Sequence, residues 1–174
     1  AYDRDNVKIV RYSCSGIGDV QGKIKGLDEQ GYGLLRLNDK VNIRLQVVGM
    51  HNLYNATAAA AVALNLDFSE AEIADALESY QATEKRMQVI DWNGIRIVND
   101  TYNANPASMK TAIDTIAAME RSGKLILVLG DMFELGESAA VLHEEVLEYI
   151  LKRKPDVLFL MGPLMTEAKQ NSTI

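Results

Sequence analysis

The chain has 174 residues, is 48% hydrophobic and 24% charged, and carries a formal net charge of −6. This is the composition of a globular protein with one domain or two small ones, and the acidic balance argues against nucleic acid or an anionic membrane surface as a partner. The single cysteine, Cys14, rules out a disulfide within the chain and fits a reducing compartment.

No run of about 18 apolar residues is present, so no membrane-spanning helix is expected. The opening AYDRDNVKIV lacks the basic and apolar regions of a signal peptide. It also lacks an initiating Met, and the chain stops within a helix-like run, so a segment of a longer protein is expected.

Residues 7–48 read as strands: VKIVRYSCS, GKIKGL, GYGLLRL and VNIRLQVV, with turns at Asp28–Gly31 and Asn38–Asp39. Val41, Ile43, Leu45 and Val47 alternate cleanly, which predicts an antiparallel meander with one polar face. Gly16, Gly18 and Gly22 lack the dinucleotide-binding spacing and precede no helix, so they read as a bulge or turn. After Gly49 an alanine-rich helix, NATAAAAVALNL, is expected. Ser69 and Glu72 stand at capping-box spacing at the start of SEAEIADALESY, with Ile73, Ala76, Leu77 and Tyr80 as its buried face. Gln81–Thr83 reads as a linker, which divides the chain into domains at 1–83 and 84–174.

The stretch EKRMQVIDWNGIRIVNDTYNANP, Glu84 to Pro106, organises the second part. An isolated arginine precedes two strand-like runs joined by Trp92-Asn93-Gly94. Ile95, Ile97 and Val98 predict a buried strand, and a polar cluster then leads to a helix at Pro106. That helix carries the stripe Met109, Ala112, Ile113, Ile116 and Ala117, and Gly123 ends it. KLILVLGDM and DVLFLMGPL read as strands buried on both faces, with the helix SAAVLHEEVLEYILKR between them. Hairpin, helix, strand, helix, strand is the order of an α/β fold with parallel strands.

Ligands of such folds bind at the loops leaving strand C-termini. Asp100 ends a strand, and can accept hydrogen bonds from ribose or make a local turn. Tyr102, Asn103 and Asn105 share its loop, and Asn105 can equally cap the next helix. Arg86 reads either as a solvated linker residue or as a phosphate contact across a cleft, for which its planar fork is suited. Asn52 and Asn55, in a first helical turn, can cap or read an adenine edge. Asp131 and Glu134 can hold an ammonium group or orient their loop. His51 reads as structural, His143 as a surface or core-edge residue, and Cys14 as a half-buried strand residue. No G-x-x-x-x-G-K-S/T loop and no metal-binding constellation is present, so the phosphate cradle and metal site of any ATP chemistry would lie elsewhere.

Taken together, these residues resemble the Mur ligase family. GMHNLYNATAAAAVAL is similar to its G-x-H-N-x-x-N-A helix start, and EKRMQVI to its arginine segment. NDTYNANPASM and LVLGDMFELGE with LHEEV resemble the branch that adds D-alanyl-D-alanine to a UDP-N-acetylmuramoyl-tripeptide. The resemblance implies the end of a central ATPase domain followed by a Rossmann-like C-terminal domain. It implies an ATP-dependent amide ligation through an acyl phosphate, in the cytoplasm, by a monomer, with Mg2+ ligands outside this chain. Asn52, Asn55, Arg86 and Asp100 would bind ATP, with Asn55 at adenine and Asp100 at ribose. Arg86 and Tyr102 would be catalytic, Tyr102 standing where most related ligases have lysine. Tyr102, Asn103 and Asn105 would face the dipeptide. Two alternatives stay open: a related Mur or folylpolyglutamate-type ligase with another amine, and a peptide- or nucleotide-binding module without chemistry.

Overall fold

The computed structural model describes residues 7–171. The chain forms two compact units, Ala1–Ala82 and Thr83–Ile174, each with its own core.

The first unit is a four-stranded sheet in the order β1 (Tyr12–Ser13), β2 (Val20–Leu27), β3 (Tyr32–Leu37), β4 (Val41–Val48). Strands β2, β3 and β4 form the expected antiparallel meander. The turn after β2 is built by Asp28, whose carboxylate accepts the N–H groups of Gln30 and Tyr32 and pairs with Arg44. Burial works against that carboxylate, yet the Tyr32 N–H, the Arg44 side chain and the Gln30 N–H hold it below the usual range. The strand expected over VKIVRYSCS shrinks to Tyr12–Ser13, which pairs parallel to β2. Val7 and Ile9 are largely exposed, so their alternation has no core to serve. Cys14 lies in a bend just after β1, half-buried, with its thiol 3.3 Å from the Thr57 hydroxyl.

Two helices cover the meander, α1 (Met50–Asn65) and α2 (Glu70–Ser79). Leu53, Ala56, Thr57, Ala60 and Ala61 form the buried face of α1. Small alanines bring that helix close to the sheet, and two strand glycines make the approach possible. A methyl group at Gly22 would overlap the Thr57 side chain, and one at Gly33 would come within 2.7 Å of Leu53. Gly22 is therefore a packing residue inside β2 rather than part of a turn. Helix α2 has the expected capping box between Ser69 and Glu72. Its buried stripe is narrower than expected: Ile73, Ala74 and half-buried Leu77 face inward, whereas Ala76 and Tyr80 are exposed. Tyr80 has left the helical backbone as the C-cap, so the 3.6-residue period no longer applies to it.

The second unit opens with a hairpin, β5 (Gln88–Trp92) and β6 (Ile95–Asn99). Trp92 pairs with Ile95, so the turn is Asn93-Gly94 alone, with φ of 50° and 81° at its two residues. This is the primed turn that matches strand twist. A parallel pair follows, β7 (Ile126–Gly130) and β8 (Val157–Met161). Helices α3 (Pro106–Ala118), α4 (Ala139–Leu151) and α5 (Pro163–Asn171) complete the unit. Helix α3 ends at Ala118, before Gly123, because Met119 turns to extended backbone.

Two burial expectations are overturned. Ile95 and Ile97 are 55% and 42% exposed, so β6 is not a buried strand among the described residues. Strands β7 and β8 are covered on one face only: Leu127, Leu129, Leu158 and Leu160 meet Met109, Ile113, Val146, Ile150 and Met165, while Ile126, Val128, Phe159 and Met161 are exposed. The helices contribute their apolar side chains to the leucine face alone. A charged clasp fastens α3 to α4: Asp114 accepts from the Tyr149 hydroxyl and from Arg153, whose guanidinium lies over the Tyr149 ring. The hydrogen bond to Asp114 raises the Tyr149 phenol above its ordinary range.

The close approach of α1 to β2 predicts that Gly22→Ala lowers stability by about 1–3 kcal/mol, read as a lower urea midpoint at unchanged slope. An unchanged midpoint would show that Thr57 is free to move aside.

Candidate functional site

The polar residues of the second unit meet where the turn before β5 touches the loop after β6. Asn99 closes β6 by accepting the Thr101 N–H and hydroxyl. Asp100 follows, and its Oδ1 accepts the Met87 N–H at 3.0 Å. The Tyr102 N–H donates to the Lys85 carbonyl at 3.0 Å. These two bonds fasten residues 85–87 to residues 100–102. Lys85 and Met87 both have left-handed backbone, with φ of 61° and 48°, on either side of Arg86. Such conformations cost about 1–3 kcal/mol each outside glycine and persist when their surroundings fix them. Here the two cross-links and the buried Met87 side chain do so.

Between the cross-links the Arg86 guanidinium sits over the Tyr102 ring, 3.9 Å from its centroid. Thus Arg86 meets Tyr102 from a distant part of the sequence, and the residue after Arg86 is bonded to Asp100. Asn103 Oδ1 accepts the Ala104 N–H, and Ala104 packs on the core that contains Met132. Asn105 caps α3, its Oδ1 accepting the Ser108 N–H while the Ser108 hydroxyl accepts the Asn105 N–H. The asparagine oxygens therefore shape the loop, and the Nδ2 groups are the chemistry these exposed residues have left to offer.

Asn52 and Asn55 belong to the first unit. Helix α1 begins at Met50, which puts Asn55 in its second turn, and neither amide caps the helix. Asn52 Nδ2 donates to the Val48 carbonyl, and Asn55 Nδ2 lies 3.5 Å from Asn52 Oδ1.

In the loop after β7, the role of Asp131 is set by its hydrogen bonds. Asp131 accepts the Leu164 and Met165 N–H groups at the start of α5 and fills the space beside Gly162. It orients structure, with a charge that suits a helix N-terminus. Glu134 is exposed, with φ of 61°. His143 is not at the surface: it is fully buried. The Met132 N–H donates to its Nε2 at 2.9 Å, so Nδ1 carries the proton and donates to the Ala139 carbonyl. The signal for this role was the helical spacing of His143 with Val146, Leu147 and Ile150, all buried.

A family model for the Mur ligase glutamate ligase domain matches residues 85–173. The chain is 38% identical over 121 residues to a UDP-N-acetylmuramoyl-tripeptide–D-alanyl-D-alanine ligase of Bacillus subtilis, covering 69% of this chain and 26% of that relative. A crystal structure of MurF from Acinetobacter baumannii superposes with a TM-score of 0.82 at 30% identity, covering 95% of this chain and 36% of the other. The Thermotoga maritima MurF ligase in complex with ADP gives 0.77 at 25% identity, covering 91% and 37%. The chain thus spans only about a quarter to a third of the length of these proteins.

Long-range 1H–15N spectra are expected to show His143 as the Nδ1–H tautomer, and His143→Ala to cost at least about 1–3 kcal/mol by leaving the Met132 N–H unsatisfied. An Nε2–H signal would contradict the network.

Proposed function

Since the chain belongs to the Mur ligase family, we propose that it forms part of an ATP-dependent ligase that joins D-alanyl-D-alanine to a UDP-N-acetylmuramoyl-tripeptide, for peptidoglycan precursor synthesis in the cytoplasm. The observation that carries this reading is that the turn bearing Arg86 is fastened to Asp100 and Tyr102, just after β6, by one bond to the Asp100 carboxylate and one between backbones. A cation and a carboxylate carried on two segments that are bonded together suit a nucleotide, with its anionic phosphates and its ribose hydroxyls. The names of the relatives and the ADP bound to the Thermotoga maritima protein support it.

In this reaction the tripeptide carboxylate takes the terminal phosphoryl group of ATP, releasing ADP. The dipeptide amine then attacks the acyl carbonyl, and phosphate leaves. Arg86 binds phosphate oxygens through its N–H fork. Asp100 keeps Oδ1 on Met87 and accepts a ribose hydroxyl through Oδ2. In the first unit, Asn55 reads adenine, with its amide oriented by Asn52. The Nδ2 groups of Asn103 and Asn105 face the incoming dipeptide, and Tyr102 stands beside Arg86. No group of three or more His, Cys, Asp or Glu side chains able to hold a metal occurs among the described residues.

The chain has no glycine-rich phosphate loop, so by itself it is expected to release no phosphate from ATP. Exchanged for its counterpart in the Bacillus subtilis relative, it should support ligation of D-alanyl-D-alanine in preference to other amines. Arg86→Ala in that chimera should lower kcat/KM for ATP about 100-fold, the scale of losing one preorganised charge-stabilising donor. Unchanged kinetics in the Arg86→Ala chimera would refute the phosphate role.

A further inference from the structure

Three arginines among the described residues lie over tyrosine rings: Arg44 on Tyr32, Arg153 on Tyr149 and Arg86 on Tyr102. The first two are also paired with carboxylates. Arg44 meets Asp28 at 2.6 Å, and Arg153 meets Asp114 at 2.7 Å. Their charges are spent within the fold, and their stacks are parts of structural clasps. Arg86 differs. Among the described residues no carboxylate pairs with it, although Asp100 is bound to the next residue's N–H. Among the described residues its guanidinium is held by the ring alone.

The backbone explains how the ring comes to be there. The Tyr102 N–H bond to Lys85 and the Met87 N–H bond to Asp100 set residues 86 and 102 opposite each other. The left-handed residues flanking Arg86 turn its side chain toward Tyr102. A guanidinium against a ring keeps its N–H donors for an anion, since the ring engages the π-face and not the fork. It also gives up less side-chain freedom when an anion binds, because one arrangement is already favoured.

We propose that Tyr102 is a positioning residue: its ring is a shelf that presents the unpaired Arg86 guanidinium to a polyphosphate, and its hydroxyl is dispensable. The polyphosphate rests on the function proposed above; the shelf rests on the stack itself. This assigns Tyr102 a part that acts through Arg86 rather than through contact with the dipeptide. It also separates tyrosine from lysine at this position, since a lysine there would set a second cation beside Arg86.

The 174-residue chain is the material for the test, as wild type and as Tyr102→Phe, Tyr102→Leu and Arg86→Ala. Tyr102 is 61% exposed, so these changes leave the core intact. Two quantities are read by NMR: the ring-current shift of the Arg86 δ-methylene protons, and binding of inorganic tripolyphosphate. The wild type and Tyr102→Phe should show the same upfield shift and the same affinity. Tyr102→Leu should lose the shift and bind about two- to fivefold more weakly, the scale of an exposed cation–π contact. Arg86→Ala should bind more weakly still. Retention of full affinity in Tyr102→Leu would overturn the proposal, as would a Tyr102→Phe variant as weak as Tyr102→Leu. A wild-type shift without tripolyphosphate binding would overturn the phosphate-presenting role and leave the stack as a structural contact, while the ligase reading would still be decided by the Arg86→Ala chimera described above.

Discussion

The second unit depends on a short cross-link between two irregular segments. The Met87 N–H bonds to Asp100, and the Tyr102 N–H bonds to Lys85. Without them, a turn carrying two left-handed non-glycine residues has little reason to hold one conformation. With them, the strand β6 dictates where Arg86 points. Asp100 is fixed because Asn99 ends the strand, and Tyr102 is fixed because Ala104 is anchored in the core and Asn105 caps α3. Local capping, burial and turn geometry thus converge on a single exposed cation.

A division of labour among the polar groups follows. Asp131 and His143 look like site residues by type, yet their hydrogen bonds are committed to the start of α5 and to the loop after β7. Arg86 is the opposite case, a linker arginine whose stack leaves its charge unpaired. Asp100 serves both ends, with one oxygen on Met87 and the other available to a ligand. A carboxylate held by the fold in this way has its geometry set before any ligand arrives, which is what the nucleotide role proposed for it would require.

What was legible in the sequence was local. Asn93-Gly94 announced its turn because both positions need positive φ, and Ser69 with Glu72 announced a helix start by reciprocal hydrogen bonding. The meander was legible from alternation in β4. What was hidden depended on partners distant in the chain. The exposed face of β7 and β8 reads like the buried one, because Ile126 and Val128 are as apolar as Leu127 and Leu129, and only the placement of the helices distinguishes them. The role of His143 requires the Met132 N–H, eleven residues away across a loop. Arg86, Asp100 and Tyr102 were each singled out by residue type and position, but their meeting rests on the Met87–Asp100 and Tyr102–Lys85 hydrogen bonds, which no spacing rule announces.

Native-state hydrogen exchange at two amides tests the central claim most directly. If the segments are fastened as described, the Met87 and Tyr102 amides exchange as slowly as those of the β5–β6 ladder, and Asp100→Ala frees Met87. If both amides exchange at the rate of an open loop in the unaltered chain, the cross-link is absent, and the aim of Arg86 is not built into the fold.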